Sequence, residues 1–387
     1  MARSELSPPA SHNVLVTSLD GDLPDLSNVP FRIERSDTAG NTSSFYIPGA
    51  DYQSLELYSS GHNWTHGAQT YIAGDVELHG GTLRTLMNGD YAAGVEQTEI
   101  GFYIRNQGRA QRVYLQGHAL TTDRGVKLYA ATNTNYDSIT EFHVQGGTLD
   151  IGGDLIYEAG VGVTGGGNET RRLGLFGDAD TVITIHGNFT SNTRSPDTGN
   201  HLSLSTLNIV DGTETAPNRI EVAADPADTL KGGTYGIGIF NVGAGAATAH
   251  VQLVNNHLND AVSKDKEDEI LLVGTLNINA GSTLDLNGHG VKVGSTLSID
   301  SSSWLDLNTN LTLAFHQRVD TFVGLGDQTA AWAVVQERVK DSTNPGVTFE
   351  PMLDSGGDTY WMAIPEPASA ALLALGCAFF VRRRRSR

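Results

Sequence analysis

Between residues 61 and 315 the chain alternates apolar and polar residues in short runs, and Gly, Asn, Asp or Ser interrupts each run. Strict alternation places the apolar side chains on one face of an extended strand, so the pattern predicts strands and not helices. A Thr-Leu step recurs at Thr82-Leu83, Thr148-Leu149, Thr206-Leu207, Thr275-Leu276, Thr283-Leu284 and Thr296-Leu297, usually followed by a second apolar residue two positions on. Leu276 and Leu297 are 21 residues apart, and Ile278/Ile299, Leu284/Leu305 and Leu286/Leu307 repeat that spacing. Val291-Lys292-Val293 supplies a third strand near the position of Leu311-Thr312-Leu313. Three short strands in about 20 residues make one rung of a solenoid whose inward Leu and Ile stack from rung to rung. The fold expected is therefore all-β, a right-handed parallel β-helix with rungs of about 21 residues. Asn287 and Asn308 fall at the same corner of successive rungs. Asn suits a corner because it tolerates the left-handed backbone conformation and its side chain can ladder with the next rung.

The flanks divide the chain further. Residues 1–60 carry strand-like pieces at 14–17, 31–34 and 44–47 and are expected to cap the solenoid, which then fills 61–315. Residues 316–364 are expected to close its other end, because an open solenoid end leaves strand edges unpaired. Within them, residues 347–353 and 359–364 flank Asp354-Ser355-Gly356-Gly357-Asp358 and read as a hairpin. Residues 328–340 fit a short helix or a strand equally, and Lys264–Glu269 reads as a solvated excursion between rungs.

Composition separates the two ends from the body. The chain of 387 residues has 25 Lys+Arg against 44 Asp+Glu, a formal charge of −19. Removing residues 365–387 takes away five Arg and one Glu, leaving 20 basic and 43 acidic residues, or −23. A body so acidic lacks the clustered cations that release counterions from phosphate, which excludes a general nucleic-acid binder. Cys377 is the single cysteine, so neither an internal disulfide nor a thiolate metal cluster is available. A chain this long can bury enough apolar surface without disulfides.

The C-terminus begins with Pro365-Glu366-Pro367 and runs uncharged from Ala368 to Val381 through Leu372, Leu373, Leu375, Phe379 and Phe380. It ends in Arg382, Arg383, Arg384 and Arg385, followed by Ser386 and Arg387. Counted back to Trp361 the apolar stretch reaches membrane-spanning length, and the arginines would stay cytoplasmic, so that everything before Pro365 faces outward. Residues 2–13 hold two prolines and mostly polar residues, unlike a secretory signal, so the expectation is an export signal upstream of Met1. A Pro-Glu-Pro triplet, a short apolar helix and an arginine cluster in that order resemble the PEP-CTERM sorting signal, a family also known as the ice-binding protein C-terminal domain. The resemblance covers residues 365–387 and implies sorting by an exosortase, an integral membrane enzyme, to the cell surface or the medium. The strands of 140–315, and more loosely those of 61–139, are in turn similar to autotransporter-associated β-strand repeats. No run of alternating strands of about ten residues follows to make an outer-membrane barrel.

Candidate chemistry is sparse. His62 and His66 are four apart, but Gly61, Asn63 and Gly67 argue against the helix that would aim both at one metal. Asp20, Asp22 and Asp25 cluster without the closing Glu of a calcium loop. Gly165-Gly166-Gly167 lacks the Lys-Ser/Thr of a phosphate loop. Asp285 and Asp306 are the one aligned acid pair, expected a rung apart, at about 4.8 Å, on the outer face. As a two-carboxylate site they would make the protein a carbohydrate-active enzyme, a polysaccharide lyase or glycosidase. Ice binding would need flat Thr-x-Thr rows; Thr275, Thr283 and Thr296 align in part, but position 304 is Trp and no row persists. The reading that follows is an exported surface or matrix protein, structural or adhesive, with extracellular polysaccharide as candidate partner and without catalysis, cofactor or metal of its own.

Overall fold

The computed structural model describes residues 25–35, 44–47, 49–59, 68–79, 83–87, 100–106, 111–130, 138–159, 171–191, 201–221, 236–254, 270–314, 316–324 and 336–365. They form an all-β, solenoid-like stack of long parallel sheets, and the one described helix is the short 3-10 turn Gln336–Arg338. One coil shows the plan. The strand Ser138–His143 lies on a first face, Thr148–Ile151 on a second and Leu155–Ala159 on a third. Each then pairs in parallel with its counterpart one coil on, Arg171–Phe176, Val182–Ile185 and Phe189–Ser191.

The core lies between the faces. On the second face Val76, Leu120, Leu149, Ile183, Leu207, Phe240, Leu276 and Leu297 pair in one inward row, all buried. A second inward row two residues on holds Ile151, Ile185, Ile209, Val242, Ile278 and Ile299. The alternation in the sequence is thus satisfied along the described second-face rows. A slip of one residue would turn the whole apolar row to solvent, so burial pins the register.

Coil length is not uniform. The pairs Leu276/Leu297, Ile278/Ile299, Leu284/Leu305 and Asp285/Asp306 stack as the 21-residue spacing requires. Earlier coils are longer: the hydrogen bond from Asn208 to Thr184 spans 24 residues, that from Asn241 to Asn208 spans 33 and that from Asn277 to Asn241 spans 36. The additional residues fall between Asn218–Glu221 and Ile237–Val242 and between His250–Val254 and Ile270–Ile278, for example. Lengthening a closed loop costs only slowly increasing entropy, so coils of unequal length can share one core. The third strand expected at 311–313 is displaced. Val291 pairs with Phe322, not with a residue of 311–313, and Leu311 is exposed in irregular backbone.

The corners follow the chemistry of Asn and Gly. Asn287 and Asn308 both have positive φ, 51° and 39°. Their side chains do not ladder with each other: Asn287 Nδ2 donates to the Leu253 carbonyl at 3.2 Å and Asn308 Nδ2 to Asp285 Oδ1 at 3.0 Å. At the start, the strands Asp25–Arg35 and Ala50–Ser59 already pair in parallel with each other, and the latter with Val76–Leu78 and Leu83–Met87, within the stretch expected as the N-terminal cap. At the far end parallel order gives way. Val347–Leu353 and Thr359–Pro365 form the expected antiparallel hairpin, and its second strand pairs antiparallel with Arg318–Gly324. Trp361, fully buried, packs against Phe322 at 5.4 Å between ring centroids.

Candidate functional site

The outward positions of the second face form two rows. The first reads Thr148, Val182, Thr206, Ile239, Thr275 and Thr296, and the second Asp150, Thr184, Asn208, Asn241, Asn277 and Ser298. In the second row Asn277 Nδ2 donates to Asn241 Oδ1 at 2.8 Å and Asn241 Nδ2 to Asn208 Oδ1 at 2.8 Å. Asn208 Nδ2 continues to Thr184 Oγ1 at 3.2 Å. An amide carries both donor and acceptor, so identical side chains stacked at strand spacing can satisfy one another. Of the three threonines expected to align, Thr275 and Thr296 do pair; Thr283 lies on the third face against Trp304.

The third face carries the acid pair. Asp285 and Asp306 sit opposite each other on neighbouring strands, between Gln252 and Lys340 of the next coils on either side. Asp285 accepts from Gln252 Nε2 at 2.9 Å, from the Asn287 amide at 2.8 Å and from Asn308 Nδ2. Asp306 accepts from the Ser342 and Asn308 amides at 2.9 and 3.1 Å, and Lys340 Nζ lies 3.6 Å away. Burial raises the Asp306 pKa, opposed by the Ser342 amide and Lys340 and reinforced by Asp285. Asp306 thus has neighbours that tune it, since Lys340 and Ser342 arrive from a segment with no visible repeat. Asp306 is buried and not on an open outer face.

The first face holds what sequence reasoning missed. Tyr71, Tyr114, His143, Phe176 and His201 stack ring on ring along the coil axis at 5.1, 4.5, 4.5 and 4.5 Å between centroids. Beside them Glu141, with its side chain 6% exposed, accepts from Arg112 Nε at 2.8 Å and lies 3.1 Å from His143 Nε2. Parallel stacking turns each ring face onto its neighbour, so the stack shows ring edges outward; a sugar that needs an open ring face finds none in its middle. Its signal was an aromatic or His at the end of Gln111–Tyr114, Ser138–His143 and Arg171–Phe176 and one residue before the end of Ala68–Ile72, hidden by unequal coil lengths.

At the edge of the second face, histidines meet carboxylates. His186 Nδ1 lies 2.7 Å from Asp211 and its Nε2 3.3 Å from Asp150. His79 Nε2 lies 3.5 Å from Glu77 and its Nδ1 3.3 Å from Asp123. Among the described residues, Asp51, Glu77 and His79 are the group able to hold a metal ion, with one ligand atom each, all within 4.8 Å of one another.

Of the sorting residues, Pro365 ends the last strand opposite Val347. Glu366, Pro367, the apolar run from Ala368 to Val381 and Arg382–Arg385 lie outside the described residues, as do His62, His66, Gly165–Gly167, Asp20 and Asp22. Among the described residues no helix is long and apolar enough to cross a membrane. Comparisons with protein-family models, with curated proteins and with solved structures find no match.

Proposed function

We propose that the chain is an exported structural or adhesive protein of the cell surface or extracellular matrix, built as a right-handed parallel β-helix and sorted through its C-terminal tail. One observation carries the reading: outward side chains repeat in register from coil to coil, as in the Asn208–Asn241–Asn277 row. A ligand that is itself a repeating polymer can engage such a surface at many weak, equal points, which multiplies avidity without a pocket. Extracellular polysaccharide is therefore the proposed partner, and high negative charge keeps the rod soluble. Right-handed crossovers are the rule for parallel strands joined within one sheet system, which supports the handedness. The tail residues Pro365-Glu366-Pro367, Ala368–Val381 and Arg382–Arg385 support an exosortase-type membrane enzyme as processing partner, with membrane anchoring before processing and display or release afterwards.

The test is mass-spectrometric mapping of both termini of the native protein from membrane, surface and medium fractions. A mature end near Pro365 found outside the cell is expected; an intact Met1 and an intact arginine tail in the cytoplasm would overturn the reading. The second reading is a carbohydrate-active enzyme at Asp285 and Asp306, favoured by the raised pKa of Asp306 beside a second carboxylate. It requires depolymerase activity that Asp285→Asn and Asp306→Asn abolish. Against it stand the amide and Lys340 contacts that already occupy both carboxylates.

A further inference from the structure

Asp51, Glu77 and His79 are brought together by the coil and not by sequence spacing. Asp51 and Glu77 pair on adjacent second-face strands, so two carboxylates stand one above the other. His79 follows Glu77 by two residues and returns to the same side of the chain. Asp123 belongs to the next coil, two residues after Thr121, which pairs with Glu77. The backbones are fixed: the His79 amide donates to the Tyr52 carbonyl at 2.8 Å and the Asp123 amide to the Leu78 carbonyl at 3.2 Å.

We propose that Asp51, Glu77 and His79 bind a divalent transition-metal ion of the zinc type, with Asp123 orienting the imidazole. Two independent features point there. The first is the donor set: two carboxylate oxygens and one imidazole nitrogen with ligand atoms within 4.8 Å. Ligands about 2.0–2.2 Å from a tetrahedral zinc lie about 3.3–3.5 Å from one another. His79 Nε2 and Glu77 are already 3.5 Å apart. The second is Asp123, 3.3 Å from the other ring nitrogen. A metal-binding histidine characteristically donates its second N–H to a carboxylate, which fixes the tautomer and aims the first nitrogen at the ion. The nitrogen donor selects zinc-like ions over calcium, which takes oxygen ligands only. Water would complete the sphere, since three protein ligands leave a position open. His186 is the internal contrast: carboxylates flank both its nitrogens, but among the described residues no third donor converges with it.

The experiment is equilibrium dialysis of the full chain against Zn2+ alone and Ca2+ alone, followed by Co2+ absorption spectroscopy. The parent is expected to take up one more equivalent of Zn2+ than His79→Ala, while His186→Ala matches the parent. Asp123→Asn should weaken that equivalent about 10–100-fold. Co2+ should give visible bands that His79→Ala loses. Equal Zn2+ uptake by parent and His79→Ala would overturn the proposal, as would Ca2+ held more tightly than Zn2+ at this position. His79 and Glu77 are exposed, 38% and 55% at the side chain, so neither substitution removes core packing. Should His79→Ala melt below the parent in chelator, Glu77→Gln gives the same comparison.

Discussion

Asn241→Ala tests whether the amide row holds neighbouring coils together. The side chain makes two bonds, donating to Asn208 and accepting from Asn277, both at 2.8 Å. A net intramolecular hydrogen bond contributes about 0.5–1.5 kcal/mol, so the loss should be roughly 1–3 kcal/mol. The lower half of that range is expected, because Asn241 is only half-buried and water can replace part of each bond. Asn277→Ala removes one of the same two bonds. The single substitutions therefore count the shared bond twice and the double substitution counts it once. The double variant should be less destabilised than the sum by one bond, about 0.5–1.5 kcal/mol. Native-state hydrogen exchange is the right assay, since coils in a stacked array need not unfold as one unit. The amides of 206–209, 239–242 and 275–278 report the relevant coils. Additivity within about 0.3–0.5 kcal/mol would refute the row as a coupled element and leave it a coincidence of register.

Three further outcomes follow from the same geometry. Leu276→Ala should cost about 2–5 kcal/mol in urea unfolding, because the side chain is fully buried and its row cannot collapse into the gap. Gly147→Ala would place a Cβ 2.4 Å from the His118 carbonyl of the preceding coil, so a midpoint lowered by the equivalent of about 1–3 kcal/mol is expected; an unchanged midpoint would show that the coils separate freely there. Asp306 and Asp178 should respond to acid in opposite directions. The folded pKa of Asp306 is raised, chiefly by burial, so its ionisation costs stability as pH climbs through and above the ordinary carboxylate range. That of Asp178 is lowered, chiefly by the Gly146 amide, so its contribution is present above the ordinary range and lost as pH falls through the folded value. The melting-temperature difference, variant minus parent, should rise from about pH 3 to pH 6 for Asp306→Asn and fall for Asp178→Asn; two flat curves would contradict both assignments.

The stack was legible where one coil resembled the next. Leu276 over Leu297 and Leu284 over Leu305 could be read because no insertion separates those strands. Phe240 over Leu276 could not, although the two pair just as directly, because the intervening coil is longer and the inward residue changes from aromatic to aliphatic. Alternation reports which way a side chain faces but not which residue lies above it. That is why the Asn row, the aromatic stack and the Asp51–Glu77–His79 group were invisible. Each is a column that crosses coils of unequal length. Asn287 and Asn308 were legible as corners from their residue type, but their partners were not, since Leu253 and Asp285 come from other coils.

Stacking also imposes a rule on charge. A parallel coil sets equal positions about 4.8 Å apart, so a column of carboxylates would repel along its whole length. The body must nevertheless carry a large excess of acids. The second-face row answers by using Thr and Asn between Thr184 and Ser298, where neutral groups bond to their neighbours. Where two acids do stack, a compensating group stands beside them. Asp285 over Asp306 has Gln252, Asn308 and Lys340. Asp51, in register with Asp25 on one side and Glu77 on the other, has His79, whose second nitrogen faces Asp123. In the first case a lysine and several amide donors face two carboxylates, although burial still leaves the Asp306 pKa raised. In the second, one imidazole stands among three carboxylates, with Asp51 and Glu77 beside it and Asp123 at its other nitrogen, and on this arrangement the proposed divalent cation rests. The two sites thus differ in what the neighbouring coils supply: Lys340 and the Ser342 amide stand against Asp306, whereas a single imidazole stands between Glu77 and Asp123.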